Sequence, residues 1–260
     1  MKNSMLILIS IFCLLNGYAQ EKTEGQITEG TVVYKQTVKL EIQLEGDASQ
    51  FADMLPKEQT SQKVLYFNSS AAMFENYNEK TDDGAGANIS ESEGVMIQMK
   101  MVEPDNKTFT DLKKHTQIEQ REFMSRMFLI NKKPSDQECK FTGNTKKILD
   151  FNCMEAWYTN EDDKKVTVWF TPEIPVPAGP GKLGGLPGLI LAVDIDNGQR
   201  IIMATFVNTT APEKEHFKKP KKGKKVSDEE YQAIVDEKMK EMGAEGGSGS
   251  GTTTIIKIGN

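Results

Sequence analysis

The sequence predicts a mainly β protein: an antiparallel, strongly curved sheet or partly open β-barrel with one C-terminal helix packed on it. Segments that alternate apolar and polar residues, as half-buried strands do, recur between residues 28 and 207. Turn signals separate most of these segments, and the crossover helices that a parallel sheet needs are not found between them. A single helical pattern, at 227–242, follows the last of these segments and is expected to cover one face of the sheet.

The chain opens with the pattern of a secretory signal peptide at residues 1–19. Lys2 precedes a short apolar run that ends at Leu15, and small residues follow up to Ala19. The run is shorter than the about 20 apolar residues that cross a bilayer. We therefore predict cleavage after Ala19, export to the periplasm, the outer membrane or the medium, and one β-rich domain over residues 20–260.

Composition narrows the possible partners. The net charge of −6 at pH 7 argues against nucleic acid as a partner. Hydrophobic residues make up 37% of the chain, which is enough to bury the core of one domain. No second apolar run approaches membrane length, so we expect no transmembrane segment after signal cleavage.

The first half of the chain is predicted to consist of strands with two interruptions. Apolar residues at every second position from 38 to 44 predict a long half-buried strand that begins near residue 32. Asp47 is predicted to cap a short helix at 48–55, and residues 81–94, rich in Gly, Asp and Ser, are predicted to form a loop. The remaining strands of this half are predicted at 63–68, 71–77, 95–102, 107–112, 117–123 and 126–130.

Turn signals mark the hairpins of the second half. Gly143-Asn144 predicts one turn, the acidic run at 160–163 a second, and Asn197-Gly198 a third. The strands that these turns separate are predicted at 140–142, 148–159, 165–170, 189–195 and 200–207.

The C-terminal part changes character after residue 212. Ser227 and Glu230 form a capping box that begins the predicted helix. The C-terminal part is predicted to contain, in order, a solvated basic linker at 218–225, the helix at 227–242, a flexible Gly-Ser linker at 246–251 and a strand at 252–258 that returns to the main sheet.

A run of prolines and glycines between residues 172 and 188 interrupts the strand pattern. Prolines lack a backbone N–H and glycines reach positive φ without strain, so neither a helix nor a ladder strand fits this run. Apolar residues such as Ile174 and Leu183 distinguish it from a solvated linker. We interpret it as a packed loop. The candidate binding residues in and beside this loop are Trp169, Glu173, Leu186, Pro187 and Gly188.

The hexapeptide at 185–190, Gly-Leu-Pro-Gly-Leu-Ile, matches the motif after which the GLPGLI family is named. The preceding Trp-Phe-Thr-Pro-Glu-Ile-Pro at 169–175 also resembles that family, as does the segment from Lys147 to Ala156. The resemblance covers mainly the second half of the chain. It implies a secreted or envelope protein of Bacteroidota, and it supplies no reaction.

Two cysteines, Cys139 and Cys153, remain after signal cleavage. An even pair in an oxidising compartment predicts a disulfide, and closing so short a loop is expected to stabilise the fold by about 3 kcal/mol. We predict that the turn at Gly143-Asn144 sets the two cysteines opposite each other on neighbouring strands. Two buried thiols are the alternative.

Methionines cluster at Met96, Met99 and Met101. Thioether sulfur is a soft ligand that suits Cu(I), so this cluster is a candidate copper site. Methionine is also an ordinary filler of irregular cores, and we favour that interpretation.

The remaining candidates for chemistry are isolated in the sequence. Glu173 has the chemistry of a general acid or base, but no second group is identifiable, so we favour a role in bracing the loop. Trp157 and Trp169 fall on neighbouring predicted strands, and we interpret them as anchors of the loop rather than as stacking partners of a ligand.

These patterns favour an exported, non-enzymatic binding protein or a cell-envelope accessory protein, for example one that serves an outer-membrane transporter. A curved sheet with a helix across it is expected to enclose an apolar groove for a hydrophobic small molecule. An envelope protein is the other expected partner, and no cofactor is expected. The alternative is a soft-metal (copper) handling protein that uses the methionines.

Overall fold

The computed structural model describes residues 25–44, 56–77, 87–92, 95–100, 103–134, 138–245 and 254–258. The predicted leader at 1–19, the predicted helix at 48–55 and the predicted linker at 246–251 lie outside the described residues.

The described residues form fifteen strands and one α-helix, α1 (Asp228–Glu245). The first eight strands are β1 (Gly30–Leu44), β2 (Glu58–Phe67), β3 (Ala71–Asn76), β4 (Ala87–Ser92), β5 (Val95–Lys100), β6 (Lys107–Asp111), β7 (Thr116–Phe123) and β8 (Arg126–Lys132). The remaining strands are β9 (Lys140–Ile148), β10 (Phe151–Thr159), β11 (Lys165–Thr171), β12 (Leu189–Ile195), β13 (Arg200–Asn208), β14 (Lys224–Val226) and β15 (Thr254–Ile258).

Thirteen of these strands form one open sheet: twelve follow the order β14-β8-β7-β6-β3-β2-β1-β13-β12-β11-β10-β9, and β15 pairs with β1 beside this path. The mainly β class and the C-terminal helix are therefore confirmed. β1 is a central strand that pairs with β2 on one side and β13 on the other. The predicted return of the C-terminal strand is also confirmed, because β15 pairs with the far end of β1 and places Ile256 opposite Ile42.

One strand pair departs from the predicted antiparallel pattern. β14 runs parallel to β8, with Val226 opposite Ile130. Parallel neighbours need a long crossover. Residues 209–223, which we call the strap, supply it by leading from the end of β13 to the outer edge of the sheet.

The strap is held against one face of the sheet. His216 stacks on Tyr66 with ring centroids 3.8 Å apart, and the Lys219 ammonium lies 5.0 Å from the ring centroid of Phe109. Met73 stands between those two aromatic residues in the strand register and is only 2% exposed. Residues 218–225, predicted as a solvated basic linker, are exposed apart from the half-buried Pro220, although Lys219 contacts the sheet and the last two lysines belong to β14.

α1 packs on the β8 end of the sheet. The predicted capping box is present, because the Ser227 N–H donates to Glu230 Oε2 at 2.9 Å and the Glu230 N–H donates to Ser227 Oγ at 3.1 Å. Tyr231 of the helix meets Phe128 edge-on, with ring centroids 5.4 Å apart. Met239, further along the helix, is 46% exposed.

The main core surrounds β12. Five consecutive residues of this strand, 189–193, are buried, so side chains on both of its faces are covered. Residues 172–188 supply part of this cover, and Leu186 belongs to the same core cluster. The Tyr34 hydroxyl on β1 donates to the Ile190 carbonyl at 2.7 Å and joins the centre of the sheet to this region. The packed loop predicted from the sequence is therefore present.

The hairpin of β9 and β10 turns at Leu149 and Asp150, not at Gly143-Asn144 as predicted. Residues 142–144 instead form a β-bulge inside β9, where they oppose a single residue of β10. Gly143 takes φ +82° there, a conformation that favours glycine.

The predicted disulfide is wrong, because Cys139 and Cys153 are both free. In the observed register Cys153 faces Lys146, whereas Lys140, the neighbour of Cys139, faces Trp157. Four residues along β10 separate these two pairings, roughly 14 Å at about 3.4 Å per residue. That separation is well beyond the reach of a disulfide.

The loop predicted at 81–94 contains a strand, because β4 pairs with β5 as a separate two-stranded sheet. Met96 and Met99 lie on β5, but their side chains, and Met101 as a whole, lie outside what the structure describes. The copper alternative therefore stays a prediction.

Candidate functional site

The candidate loop residues separate into buried and accessible ones. Leu186 is 5% exposed and Gly188 is also buried, so both belong to the interior. Glu173 and Pro187 are exposed, and Trp169, at the end of β11, is half-buried. The apolar part of the loop therefore stabilises the fold, and Trp169, Glu173 and Pro187 remain accessible to a ligand.

Glu173 ties the loop to the start of β10. Its Oε1 accepts hydrogen bonds from the backbone N–H of Asn152 at 2.8 Å and from the side-chain amide of Asn152 at 3.0 Å. This contact is the bracing role that the sequence analysis favours for Glu173.

The register of β10 and β11 brings the two tryptophans together. Trp169 on β11 faces Glu155 on β10, and Trp157 follows Glu155 by two residues. Residues two apart on a strand point to the same face, so both indoles lie on one face as diagonal neighbours, roughly 7–8 Å apart. Both residues are half-buried, and parts of their side chains reach solvent.

Three lysine ammonium groups lie over these two indoles. Lys146 Nζ is 4.0 Å from the ring centroid of Trp169. Lys140 Nζ and Lys165 Nζ are 5.0 and 5.4 Å from the ring centroid of Trp157. The negative face of an indole attracts a cation at such distances. We call the set Trp157, Trp169, Lys140, Lys146, Lys165 and Glu155 the tryptophan–lysine surface.

Glu155 is held by the bulge in β9. Its Oε2 accepts hydrogen bonds from the Thr142 hydroxyl and from the side-chain amide of Asn144, both at 2.7 Å. These hydrogen bonds favour the charged form and lower the pKa of Glu155. The carboxylate is therefore an ionised hydrogen-bond acceptor beside the tryptophans.

The lysines of this surface differ from those elsewhere in the sheet. Lys132, for example, forms an ion pair with Glu119 at 2.7 Å. Over the ranges that the structure describes, Lys140, Lys146 and Lys165 form no ion pair and contact the indoles instead. Lys146 is an exposed residue of β9, and partial desolvation lowers the pKa of its ammonium group.

A groove of about 750 Å³ opens beside α1 and β8. Its lining includes Glu122, Arg126, Lys222 and Glu237. Met127, Phe128 and Ile234 line it as well, so charged and apolar side chains share its walls. The predicted hydrophobic ligand stays a prediction. In the described part of the chain, no group of His, Cys, Asp and Glu residues is arranged to hold a metal ion.

The fold and the site define the chain as a mainly β protein whose open sheet presents aromatic and charged side chains together on one face. It belongs to the protein family described as N-glycanase peptide, N-terminal domain, whose sequence model matches residues 87–232. The whole tryptophan–lysine surface lies within the matched range. This match leaves the resemblance to the GLPGLI family untested.

Solved structures of PNGF-II in space groups P21 and C2 are similar to the chain. The sequence identity is 18% in both comparisons, and the TM-scores are 0.48 and 0.47. The alignments cover 78% of this chain and 33% and 32% of the PNGF-II chains, so this chain spans about a third of the length of the solved structures that it matches.

No curated protein matches the chain. Among the described residues, no helix is long and apolar enough to cross a membrane.

The sequence analysis places the two tryptophans on neighbouring strands but misses the lysines beside them. Lys140 and Lys146 reach the indoles because β9 continues through Gly143 as one bulged strand. The sequence contained a signal for this arrangement. Lys146 lies as many residues before Leu149 as Cys153 lies after Asp150, and cross-strand partners in a hairpin with a two-residue turn are spaced in this way.

Proposed function

We propose that the chain is an exported, non-enzymatic protein that binds the glycans of glycoproteins through the tryptophan–lysine surface. The observation that carries this proposal is the pair of half-buried indoles on one sheet face, with Glu155 beside them. The flat apolar face of an indole suits the C–H-rich face of a sugar ring. The carboxylate and ammonium groups supply acceptors and donors for sugar hydroxyls. The family description names an N-glycanase, which supports glycans as the ligand class.

Glu155 is better suited to binding than to proton transfer. A carboxyl group that donates a proton to a glycosidic oxygen needs a raised pKa, whereas hydrogen bonds from Thr142 and Asn144 lower the pKa of Glu155. This direction supports recognition without catalysis. The leader pattern at 1–19 supports export, and the partner would be a glycoprotein or another protein of the cell envelope.

Tryptophan fluorescence tests the proposal directly, because the chain has two tryptophans and both belong to the surface. We expect a saturable change in emission when the purified chain is titrated with a glycopeptide that carries an N-linked glycan. Trp157→Ala should weaken binding, measured by calorimetry, by about tenfold or more. Phe206→Ala is the matched control, because Phe206 is an aromatic residue of β13 that is 56% exposed. Equal affinities of wild type and Trp157→Ala would contradict this site.

A second experiment tests whether the chain releases glycans from a glycoprotein. The chain is incubated with an N-glycosylated protein, and released glycans are measured by mass spectrometry. We expect no release above a buffer control. Release by the wild type that Glu155→Gln abolishes would show that the chain is an enzyme and would overturn the non-enzymatic part of the proposal.

A further inference from the structure

The three lysines of the tryptophan–lysine surface carry an inference about the ligand that rests on the proposed glycan binding. We propose that this surface selects acidic glycans, whose sugars bear a carboxylate or a sulfate group. The argument depends on the charge at the surface and on where the ammonium groups lie relative to the indoles.

The charge of the surface is not neutralised by ion pairs within the described residues. Each of the three ammonium groups lies against an indole face rather than a carboxylate. Glu155 is the acidic member of the surface, and its Oε2 is already engaged by Thr142 and Asn144. Asp194 adds a second negative charge near Lys146. Glu173 acts on Cys153, the strand partner of Lys146, and adds a third carboxylate nearby. The three ammonium groups lie against indoles instead of pairing with these carboxylates, so each can meet an acidic group of a ligand.

The position of each ammonium group makes this charge relevant to a stacked sugar. A sugar ring that packs on the exposed part of Trp169 would lie beside Lys146, and one on Trp157 would lie beside Lys140 and Lys165. An acidic group on such a ring can accept a charge-assisted hydrogen bond, which is roughly twice as strong as a neutral one. A neutral sugar offers the same stacking without this bond.

Lys146 is the residue expected to contribute most to the selection. Its ammonium is the one nearest to an indole, at 4.0 Å. Partial desolvation lowers the pKa of this otherwise exposed lysine, so an anionic partner would favour its charged form. Lys146 is therefore a specificity-determining residue under this inference.

The test compares two acidic ligands with a neutral one. The full chain is titrated with a sialylated N-glycopeptide, with the same glycopeptide after sialidase treatment, and with a sulfated heparin oligosaccharide. We expect an acidic ligand to bind about tenfold more tightly than the neutral glycopeptide at low salt, and the difference to shrink as sodium chloride screens the charges. Lys146→Gln should bring the affinity for the acidic ligand down toward the neutral value, a larger loss than the same variant causes for the neutral glycopeptide. Lys147→Gln is the matched control, because Lys147 is the next, exposed residue of β9 and contacts no indole.

The outcomes separate this inference from the proposed function. Equal affinities for the sialylated and neutral glycopeptides, with no binding of heparin, would overturn the selection of acidic glycans and leave glycan binding intact. Failure of all three ligands to bind would overturn the proposed function itself. Tighter binding of either acidic ligand supports the inference, and the comparison of the two identifies the carboxylate or the sulfate as the preferred group.

Discussion

Two glycines hold the loop at 172–188 in place for different physical reasons. A Cβ atom on Gly188 would lie 2.2 Å from the carbonyl oxygen of Thr171, a distance that side chains do not tolerate. A Cβ atom on Gly185 would meet nothing within 4 Å, but the backbone there has φ +80°, which non-glycine residues rarely adopt. Glycine is therefore required at position 188 because a side chain would clash with Thr171, and at position 185 because of the backbone conformation.

This difference predicts unequal costs for the same substitution. Gly188→Ala should lower the free energy of unfolding by about 3 kcal/mol or more, because the backbone of the loop must move away from Thr171. Gly185→Ala should cost only about 1 kcal/mol. Urea unfolding of both variants measures the two costs. Equal costs, or a Gly188→Ala variant as stable as the wild type, would contradict the close approach of the loop to β11.

The thiol of Cys153 makes the stability of the fold depend on alkaline pH. Burial raises the pKa of Cys153 to about 11, whereas a thiol in an unfolded chain has a pKa of about 8.5. Between these values the folded state keeps a proton that the unfolded state releases. The contribution of Cys153 to stability is therefore fully present below about pH 8.5 and is lost as the pH rises toward 11.

Cys153→Ala removes this titration. Between pH 8 and pH 10.5 the wild type should lose about 2 kcal/mol more of its free energy of unfolding than Cys153→Ala loses. Chemical unfolding at the two pH values, under reducing conditions, gives the difference between the proteins and cancels the other titrating groups. The same pH dependence in both proteins would show that Cys153 ionises as easily in the fold as in the unfolded chain.

At the scale of elements, the strap ends in a close approach to β8. Gly223 has φ +133°, and a Cβ atom there would lie 2.8 Å from backbone atoms of Met127 and Phe128. β14 begins at the next residue, so this contact sets the position at which the strap joins the sheet.

Gly223→Ala should therefore loosen β14 and the end of the strap. We expect trypsin to cleave the basic run at 218–225 about tenfold faster in this variant, because cleavage follows the population of locally opened chain. Gly25→Ala is the matched control, because a Cβ atom there meets nothing within 4 Å. Mass spectrometry of the first fragments locates the cut. An unchanged cleavage rate would show that the strap does not depend on Gly223.

The elements that the sequence analysis misplaces are those whose conformation is decided by pairing with an adjacent strand and not by their own residues. The alternating strands around β1 and the capping box of α1 follow from local residues, and both predictions are confirmed. β14 has only three residues, two of them lysines, and it is a strand because β8 offers it an edge. Gly143-Asn144 has the composition of a turn, but pairing with β10 incorporates it into β9 as a bulge. The same misplaced turn led to the wrong disulfide and concealed the lysines of the tryptophan–lysine surface.

At the scale of the whole molecule, the described residues of the sheet form two apolar clusters. The larger one surrounds β12 and includes Leu191, and the smaller one lies under α1 and includes Ile130; both residues are 0% exposed. The smaller cluster packs α1 on the sheet, together with the contacts of Lys132 with Asp228 and of Arg121 with Tyr231. Local opening of α1 and β14 is therefore expected to need less free energy than opening of the main core.

Matched truncations in the two clusters test this division. Ile130→Ala and Leu191→Ala should each cost roughly 2–5 kcal/mol at their own site. Hydrogen exchange should then show faster exchange confined to α1, β8 and β14 in Ile130→Ala. In Leu191→Ala exchange should rise throughout the sheet, with a lower melting temperature. The same exchange pattern in both variants would show that the two clusters unfold as one unit.

The central position of β1 has a consequence for how the chain folds. Thr205 on β13 donates a hydrogen bond to the Val33 carbonyl on β1, 172 residues earlier in the chain, and β15 pairs with β1 from still further along. The pairing of β1 with strands from the last quarter of the chain gives the sheet a high contact order. Proteins of high contact order fold slowly. During synthesis β1 and β2 would therefore emerge long before β13 and β15 exist. A chain that completes its sheet this late is compatible with the export that we propose, because a polypeptide passes through a secretion channel before it folds.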